Sequence, residues 1–205
     1  MKIIISAGPT REYIDPVRFI SNSSSGQMGY AIAAASVRRG HDVTLVSGPV
    51  NLAAPEGVTL VKVVSAADMA EAMKSRFSHH DVCIMSAAVA DYRPVKNLDH
   101  KMKKSPGNMF LELERTEDIL KALGSLKKEG QLLVGFAAES ENLLENAAGK
   151  LARKNLDWIV ANKLSDGFAK ATNACVLLGK NGSKITFDTR PKTELAEALL
   201  DTLGI

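Results

Sequence analysis

Hydroxyl, amide and glycine residues are concentrated in the run ISNSSSGQMGY, directly before the first predicted helix. The first N–H groups of a helix lack partners within the helix, and the helix dipole adds positive charge, so an anion is favoured there. A plainer reading is that Ser24 or Ser25 caps the helix while Gly26 and Gly29 permit close packing. We predict a phosphate or carboxylate site contacted by Ser24, Ser25, Gly26, Met28 and Gly29.

The same glycine-rich turn also imitates the fingerprint of nicotinamide-dependent dehydrogenases. In those enzymes an acidic residue at the end of the second strand binds the ribose hydroxyls. Here the second predicted strand ends in VTLVSGP, so Ser47 and Gly48 stand where the acidic residue would be. An NAD(P)-dependent reductase is therefore the less favoured alternative.

The segment SAAVADY follows a predicted buried strand. Ala87 and Ala88 are small enough for a ligand ring or sugar to lie against the backbone, and Asp91 adds a carboxylate. That carboxylate is suited to bind a ribose or to help hold a metal ion, although capping a turn is the commoner role of an aspartate. In parallel sheets ligands bind beyond the carboxyl ends of the strands, which is where this segment lies.

The run KMKK places Lys101, Lys103 and Lys104 in a loop. Such a cluster is most often solvated surface. Opposite an anion site, however, lysines are point charges that can reach a triphosphate and stabilise the charge on a leaving pyrophosphate.

Two further features complete the candidate nucleotide site. Phe136, in GFAAES, is available to stack on a base, although an aromatic residue in an apolar strand usually belongs to the core. Lys150 and Lys154 share one face of a predicted helix, so both contact phosphates or both face water.

Composition limits the classes of function. The chain has 205 residues, 45% hydrophobic and 24% charged, and its net charge of +3 is too small to indicate nucleic-acid binding. No apolar run is long enough to cross a bilayer, and no signal peptide is recognised, so a cytoplasmic location is expected. Cys83 and Cys175 lie in apolar runs without disulfide or zinc spacing. The four histidines show no metal spacing, and neither a nucleophile elbow nor a P-loop occurs.

Short β-branched runs alternate with segments of helical period, which predicts an α/β fold with a doubly wound, mainly parallel sheet and helices on both faces. We predict one domain over residues 1–205. The predicted strands are Ile3–Ser6, Val43–Val46, Thr59–Val64, Val82–Ser86, Leu132–Phe136 and Trp158–Ala161. The predicted helices are Gln27–Arg39, Ala66–Phe77, Glu117–Leu126, Glu141–Lys154 and Lys192–Leu203, with Ser65 and Thr116 as candidate caps and Gly40 as a terminator.

Two connections, Gly8–Ser25 and Val89–Asn108, are longer than a doubly wound fold needs, which is uncommon for segments without a binding role. Near the C-terminus, NACVLLGKNGSKITF predicts a small antiparallel hairpin that turns at Asn181-Gly182.

In order and spacing, the set GPTREYIDPVRFISNSSSGQMG, VTLVSGP, SAAVADY, KMKK, GFAAES and KLARKNLDWIVAN closely resembles the bacterial phosphopantothenoylcysteine synthetases. The resemblance covers essentially the whole chain. It implies a Rossmann-like domain that forms homodimers. In that family the domain is often the second half of a polypeptide whose first half is a flavin-containing phosphopantothenoylcysteine decarboxylase.

The resemblance also implies a reaction. CTP, with Mg2+, activates the carboxylate of 4'-phosphopantothenate as an acyl-cytidylate and releases pyrophosphate, after which the amine of L-cysteine displaces CMP. The product feeds coenzyme A synthesis. Metal ligands stay unassigned, and the choice of CTP over ATP rests on the resemblance.

Site residues follow by match to the family's motifs. Asn22 matches the asparagine implicated in binding the acyl-cytidylate and promoting its attack by cysteine, and Lys101 matches the lysine placed to stabilise the triphosphate. The sequence Thr116-Glu117-Asp118-Ile119 departs from the family's more usual Asn-Pro-Asp-Ile. The residues expected around the nucleotide are Ala87, Ala88, Asp91, Lys101, Glu117, Asp118, Ile119, Leu120, Phe136, Lys150 and Lys154.

A third reading lies outside the enzymes. The same lysines and helix terminus would serve a nucleotide-binding module that binds its ligand without turnover, because binding and catalysis share most of these groups.

Overall fold

The computed structural model describes residues 1–103, 106–163 and 170–205. Its strands in chain order are β1 (Lys2–Ala7), β2 (Arg11–Tyr13), β3 (Phe19–Ser21), β4 (Asp42–Ser47), β5 (Val58–Lys62), β6 (Val82–Met85), β7 (Tyr92–Pro94), β8 (Leu113–Arg115), β9 (Leu132–Glu139), β10 (Trp158–Lys163), β11 (Thr172–Gly179) and β12 (Lys184–Pro191). Its helices are α1 (Gln27–Arg38), α2 (Ala66–Phe77), α3 (Ile119–Leu126), α4 (Leu143–Arg153) and α5 (Lys192–Leu203).

Eight strands form the central sheet in the order β12-β11-β10-β9-β6-β1-β4-β5. The pairs from β10 to β5 are parallel, and β11 and β12 add an antiparallel hairpin at one edge. The hairpin turns at Gly182, whose φ of 86° is readily adopted by glycine. The predicted doubly wound α/β fold and its C-terminal hairpin are confirmed.

Two hydrophobic layers cover the sheet. Ile3, Ile5 and Val43 of the sheet pack against α1 and α5 on one face. On the opposite face Ile4 and Cys83 pack against α2, α3 and α4. Neighbouring residues of β1 therefore alternate between the faces, as strand geometry requires. Every helix N-terminus that follows a parallel strand is consequently directed to the edge where those strands end.

Local signals explain the helix boundaries, with one correction. Ser65 caps α2 in a capping box with Asp68, and Gly40, at φ 80°, follows α1 in the left-handed conformation. The predicted cap of α3 at Thr116 is wrong. Asp118 caps that helix instead, by accepting a hydrogen bond from the N–H of Lys121 at 3.0 Å, so α3 begins two residues later than predicted.

The two long connections contain structure that the sequence pattern did not reveal. Strands β2 and β3 form a three-residue hairpin within the first connection. In the second, β7 pairs with β8, which lies well beyond it in the chain. Strands of three residues are too short to show a period of two, so both connections read as irregular.

Among the described residues, no helix has the length and apolar character that crossing a membrane requires. Cys83 and Cys175 are buried free thiols, and burial raises the pKa of both, that of Cys175 to about 12. Neither thiol is therefore activated as a nucleophile.

Candidate active site at the carboxyl edge of the sheet

A cavity of about 620 Å³ lies beyond the carboxyl ends of the central strands β6, β9 and β10. On one face of the sheet it is bounded by the beginning of α3, by Lys150 of α4 and by Lys154, the residue that follows α4. On the other face it is bounded by the beginnings of α1 and α5. We call these the α3/α4 side and the α1/α5 side.

The wall between the two sides is built by the loops that follow β1 and β6. The N–H of Ala88 donates to the carbonyl of Gly8 at 2.9 Å, and the carbonyl of Ala88 accepts from the N–H of Thr10 at 3.3 Å. The hydroxyl of buried Ser6 accepts from the N–H of Ala87 at 3.2 Å. The alanines predicted to lie against a ligand therefore line the cavity as a wall with fixed backbone.

Asn22 lies beside this wall. Its amide nitrogen donates to the carbonyl of Ala88 at 3.1 Å and to that of Val89 at 3.2 Å. The preceding Ser21 is held by its hydroxyl, which donates to the carbonyl of Thr10 at 2.7 Å. Asn22 is exposed and lies just outside the cavity lining, but both of its hydrogen-bond partners, Ala88 and Val89, belong to that lining.

The N-terminus of α1, with the residues Ser24 to Met28 around it, forms one wall of the α1/α5 side, and we call it the α1 mouth. The residue that precedes the helix is Gly26, at φ 76°, and in the described structure no side chain caps this terminus. Ser24 and Ser25, which the plainer reading made caps of α1, do not cap it but line the cavity, as do Gly26 and Met28. A helix start without a cap and without an acidic residue in its first turn is suited to an anion.

Gly29 lies outside the cavity lining, in contrast to the prediction that it contacts the anion. A Cβ atom on this residue would lie 2.6 Å from the Cβ of Ala7 and 3.1 Å from the carbonyl oxygen of Ser6. Glycine is therefore required here for α1 to approach β1, which is the packing role considered as the plainer reading.

The α3/α4 side carries charges that already have partners. The ammonium of Lys154 contacts the carboxylate of Asp118 at 2.9 Å, and the ammonium of Lys150 donates to the carbonyl of Phe136 at 2.7 Å. Burial lowers the pKa of Lys150, and neighbouring Lys154 lowers it further. Burial opposes ionisation of Asp118, but hydrogen bonds from Lys154 and from the N–H of Lys121 lower its pKa overall.

The remaining predicted residues of this side line the same cavity. Glu117 is paired with Lys74 of α2 at 2.7 Å, and the loop before α3 is tied to the wall because the N–H of Thr116 donates to the carbonyl of Asp91 at 3.0 Å. The lining residues that were predicted to surround a nucleotide are Ala87, Ala88, Asp91, Glu117, Asp118, Ile119, Leu120, Phe136, Lys150 and Lys154.

Lys101 is exposed and lies outside the lining, but its loop is anchored. The N–H of the next residue, Met102, donates to the carboxylate of Asp15 at 3.1 Å, and the guanidinium of Arg18 donates to the carbonyl of Met102 at 2.9 Å. Asp15 is buried, and its hydrogen bonds to Arg18 hold its pKa well below the usual range despite that burial. Lys104 lies outside the described residues.

Ser47 and Gly48, which stand where a dehydrogenase would bind the ribose, are used for internal packing. The hydroxyl of Ser47 accepts from the hydroxyl of Tyr30 at 3.0 Å and donates to the carbonyl of Gly48 at 2.8 Å. A Cβ atom on Gly48 would lie 1.8 Å from the carbonyl oxygen of Pro9. These residues hold two loops together, which weakens the case for a nicotinamide cofactor.

The sequence did not predict several polar residues of the lining, among them Arg115, Asn162, Asn173 and Lys192. Arg115 ends β8, directly before the segment that begins at Thr116. Asn162, Asn173 and Lys192 come from β10, β11 and the start of α5, near the antiparallel edge of the central sheet. The available signal was the placement of Asn162 near the end of a predicted parallel strand and of Lys192 at the first position of a predicted helix.

An α/β sheet with a polar cavity at the carboxyl ends of its central strands defines a doubly wound ligand-binding protein. The chain belongs to the family described as DNA/pantothenate metabolism flavoprotein, C-terminal domain, whose profile matches residues 1–204.

Individual relatives agree with this membership. The chain is 49% identical over 206 aligned positions to the coenzyme A biosynthesis bifunctional protein CoaBC of Bacillus subtilis, with 98% of this chain and 50% of that protein covered. The chain thus spans about half the length of the curated relatives it matches.

Solved structures share the fold. A crystal structure of the C-terminal domain of a CoaBC protein superposes with a TM-score of 0.85 at 47% identity, covering 98% of this chain and 93% of that one. A DNA/pantothenate metabolism flavoprotein from Streptococcus pneumoniae also gives a TM-score of 0.85, at 26% identity, with 100% and 98% covered.

Proposed function

We propose that the chain catalyses the joining of 4'-phosphopantothenate to L-cysteine, with CTP cleaved to CMP and pyrophosphate through an acyl-cytidylate, in coenzyme A biosynthesis. The observation that carries this proposal is one cavity in which the uncapped N-terminus of α1, a wall of small residues and two partly buried lysines face one another. The relatives named as coenzyme A biosynthesis proteins support it.

The α3/α4 side suits the cytidine. Phe136 offers a ring face, and Ala87 and Ala88 permit close approach of a planar or sugar group. Lys150 and Lys154 add positive charge at the same wall. Their partners, a backbone carbonyl and Asp118, fix the two ammonium groups in position, so little side-chain freedom is lost when a ligand binds.

Asn22 is proposed to act on the acyl group. Its hydrogen bonds to the carbonyls of Ala88 and Val89 hold the amide at the rim of the cavity, beside the wall where the nucleotide would lie. An amide does not titrate near neutral pH, so Asn22 can stabilise the acyl-cytidylate and assist the attack of the cysteine amine without a change of charge. For this role one of its two N–H groups would turn from a backbone carbonyl to the acyl oxygen.

Lys101 is proposed to stabilise the triphosphate while pyrophosphate departs. The anchoring of Met102 by Asp15 and Arg18 holds the neighbouring lysine near one position rather than leaving the loop untethered. Ser24, Ser25, Gly26 and Met28 would contact a phosphate or carboxylate at the α1 mouth.

Mg2+ is proposed to accompany CTP. Within the described ranges no group of three or more His, Cys, Asp or Glu side chains is placed to hold a metal. Mg2+ usually keeps several waters and binds one or two carboxylates together with substrate phosphates. Asp91, exposed on the cavity wall, fits that requirement, and the ion would neutralise charge on the triphosphate.

We further propose a cytoplasmic homodimer that acts with a phosphopantothenoylcysteine decarboxylase, as a fused half or a separate partner. Apolar side chains are exposed in and beside the strands β7 and β8. They are Val95, Met109, Leu113 and Phe110, the last of which is 93% exposed. Solvent contact of a whole aromatic side chain is unfavourable, so this segment is a suitable contact for a second copy. Light scattering should give twice the chain mass.

The deciding assay follows CMP and pyrophosphate release from CTP. Release should require both 4'-phosphopantothenate and cysteine for turnover, and ATP should substitute poorly under saturating cysteine. An absence of CMP in the full mixture, with CTP still bound, would favour the non-catalytic module. Fluorescence titration with NADPH tests the reductase alternative, for which we expect no saturable change.

A further inference from the structure

Three polar residues form a corner of the cavity that the proposed roles above leave unused. Asn162, Asn173 and Lys192 all line the cavity, and they are only 7%, 4% and 8% exposed. We call this set the Lys192 corner. Polar groups this deeply buried are normally paired, and burial of an ammonium is especially costly.

One atom of this corner lacks a partner. The side-chain oxygen of Asn173 is buried and accepts no hydrogen bond from any residue in the described ranges. A buried polar atom without a partner costs free energy on folding, so its retention at a cavity wall points to a ligand. Because an amide presents its oxygen or its N–H groups after a half-turn, the same side chain is able to donate to an anion.

Two helices start beside this corner. Arg39, just after the end of α1, donates to the carboxylates of Glu197, in the middle of α5, and of Asp201, in its last turn, and to the carbonyl of Ile205 beyond it. The C-terminal ends of α1 and α5 therefore lie together, and their N-termini lie together at the cavity. In the described structure neither N-terminus has a side-chain cap.

Lys192 adds charge at this point. Its ammonium donates to the carbonyl of Lys170 at 2.5 Å, and burial lowers its pKa. A bound anion would offset that cost by stabilising the charged form. Glu194, in the first turn of α5, is exposed and lies outside the cavity lining.

We propose that the Lys192 corner is a phosphoryl-binding subsite that, together with the α1 mouth, holds the terminal phosphates of the nucleotide. The assignment to the nucleotide rests on the proposed ligase function. The shape of the cavity favours the nucleotide as the source. If the base is held on the α3/α4 side, the triphosphate would extend past the wall to the α1/α5 side. The phosphate monoester of the second substrate has the same chemistry and is the alternative source.

The first test is binding of inorganic pyrophosphate, measured by calorimetry on the intact chain without turnover. Lys192→Met keeps the aliphatic stem and removes the charge, and it should weaken binding about tenfold or more, the scale of a charge-assisted hydrogen bond. The control is Lys184→Met on the exposed strand β12, which should bind like the wild type. Equal affinities for the two variants would overturn the subsite.

The second test separates binding from folding. Asn173→Leu removes the unpartnered oxygen at similar volume, so its thermal midpoint should equal or exceed that of the wild type while pyrophosphate binding weakens several-fold. A purely structural asparagine would give the opposite pattern, with lower stability and unchanged affinity.

Kinetics then distinguish the source of the phosphate. With Lys192→Met, a raised KM for CTP alone supports the nucleotide assignment, whereas a raised KM for 4'-phosphopantothenate alone overturns that assignment and leaves the phosphoryl subsite. If the wild type forms no CMP but binds pyrophosphate through Lys192, the ligase function fails and the subsite stands. If the wild type forms CMP and Lys192→Met binds pyrophosphate normally, only the subsite fails.

Discussion

The two sides of the cavity differ in how their polar groups are satisfied. On the α3/α4 side, Lys154 is paired with Asp118 and Lys150 with a backbone carbonyl. On the α1/α5 side, two helix starts have no side-chain cap in the described structure, and the oxygen of Asn173 has no partner there. The first side is complete before a ligand arrives, whereas we propose that the second is completed by an anion, toward which the Asn173 amide would present its N–H groups after a half-turn. The comparison suggests that the paired lysines of the α3/α4 side hold a ligand in position, whereas the uncapped helix starts of the α1/α5 side indicate where its negative charge would lie.

The largest expected effect on the reaction rate comes from Asn22, which lies beside the wall between the two sides. Asn22→Ala should slow consumption of the acyl-cytidylate by cysteine about 100- to 1000-fold, the scale measured for loss of one oxyanion donor, while the intermediate still forms. Rapid-quench detection of acyl-cytidylate and CMP would show the intermediate accumulating. Loss of acyl-cytidylate formation with normal consumption would contradict the role given to Asn22.

A smaller loss is expected in the anchored loop. Lys101→Ala should slow formation of the acyl-cytidylate about 10- to 100-fold, because one charge that stabilises the departing pyrophosphate is removed. The rate at which preformed intermediate reacts with cysteine should stay unchanged. Single-turnover kinetics of the two half-reactions provide the measurement, with exposed Lys184→Ala as the control.

On the α3/α4 side, the ion pair between Lys154 and Asp118 can be tested for its contribution to CTP binding. Lys154→Met leaves the carboxylate of Asp118 without its ammonium, so the KM for CTP should rise about tenfold. Adding Asp118→Asn should recover part of that loss, because the unpaired negative charge is then removed. Additive effects in this double-mutant cycle would show that the pair does not act as a unit.

The smallest effect concerns pH. The pKa of Asp15 is lowered in the folded state, so its contribution to stability is present at neutral pH and is lost as the pH falls below the ordinary carboxyl range of about 4. Urea unfolding at pH 7 and pH 3 should therefore show a larger acid-induced loss for the wild type than for Asp15→Asn. Equal losses would mean that the contact with Arg18 does not stabilise the fold.

The sequence predicted the architecture because its signals are local. The capping box at Ser65, the terminating Gly40 and the turn at Gly182 each depend on neighbouring residues, and all three lie where they were expected. The cap at Thr116 failed because Asp118 competes for the same helix start, and both residue types are good caps.

The candidate site was predicted unevenly for a related reason. Residues at the ends of the parallel strands, such as Ala87 and Phe136, could be placed because parallel strands end at one edge. Asn173 begins an antiparallel strand, and Lys192 begins a helix packed on α1, so their presence in the cavity depends on long-range packing that no short pattern encodes. The lysine loop depends in the same way on the contact of Met102 with Asp15.

A crystal structure with a non-hydrolysable CTP analogue and Mg2+ tests the central claim most directly. The account predicts the cytosine on the α3/α4 side near Phe136 and the terminal phosphates within hydrogen-bonding distance of the α1 mouth and the ammonium of Lys192. A nucleotide bound in the reverse orientation, or outside the cavity, would contradict the account.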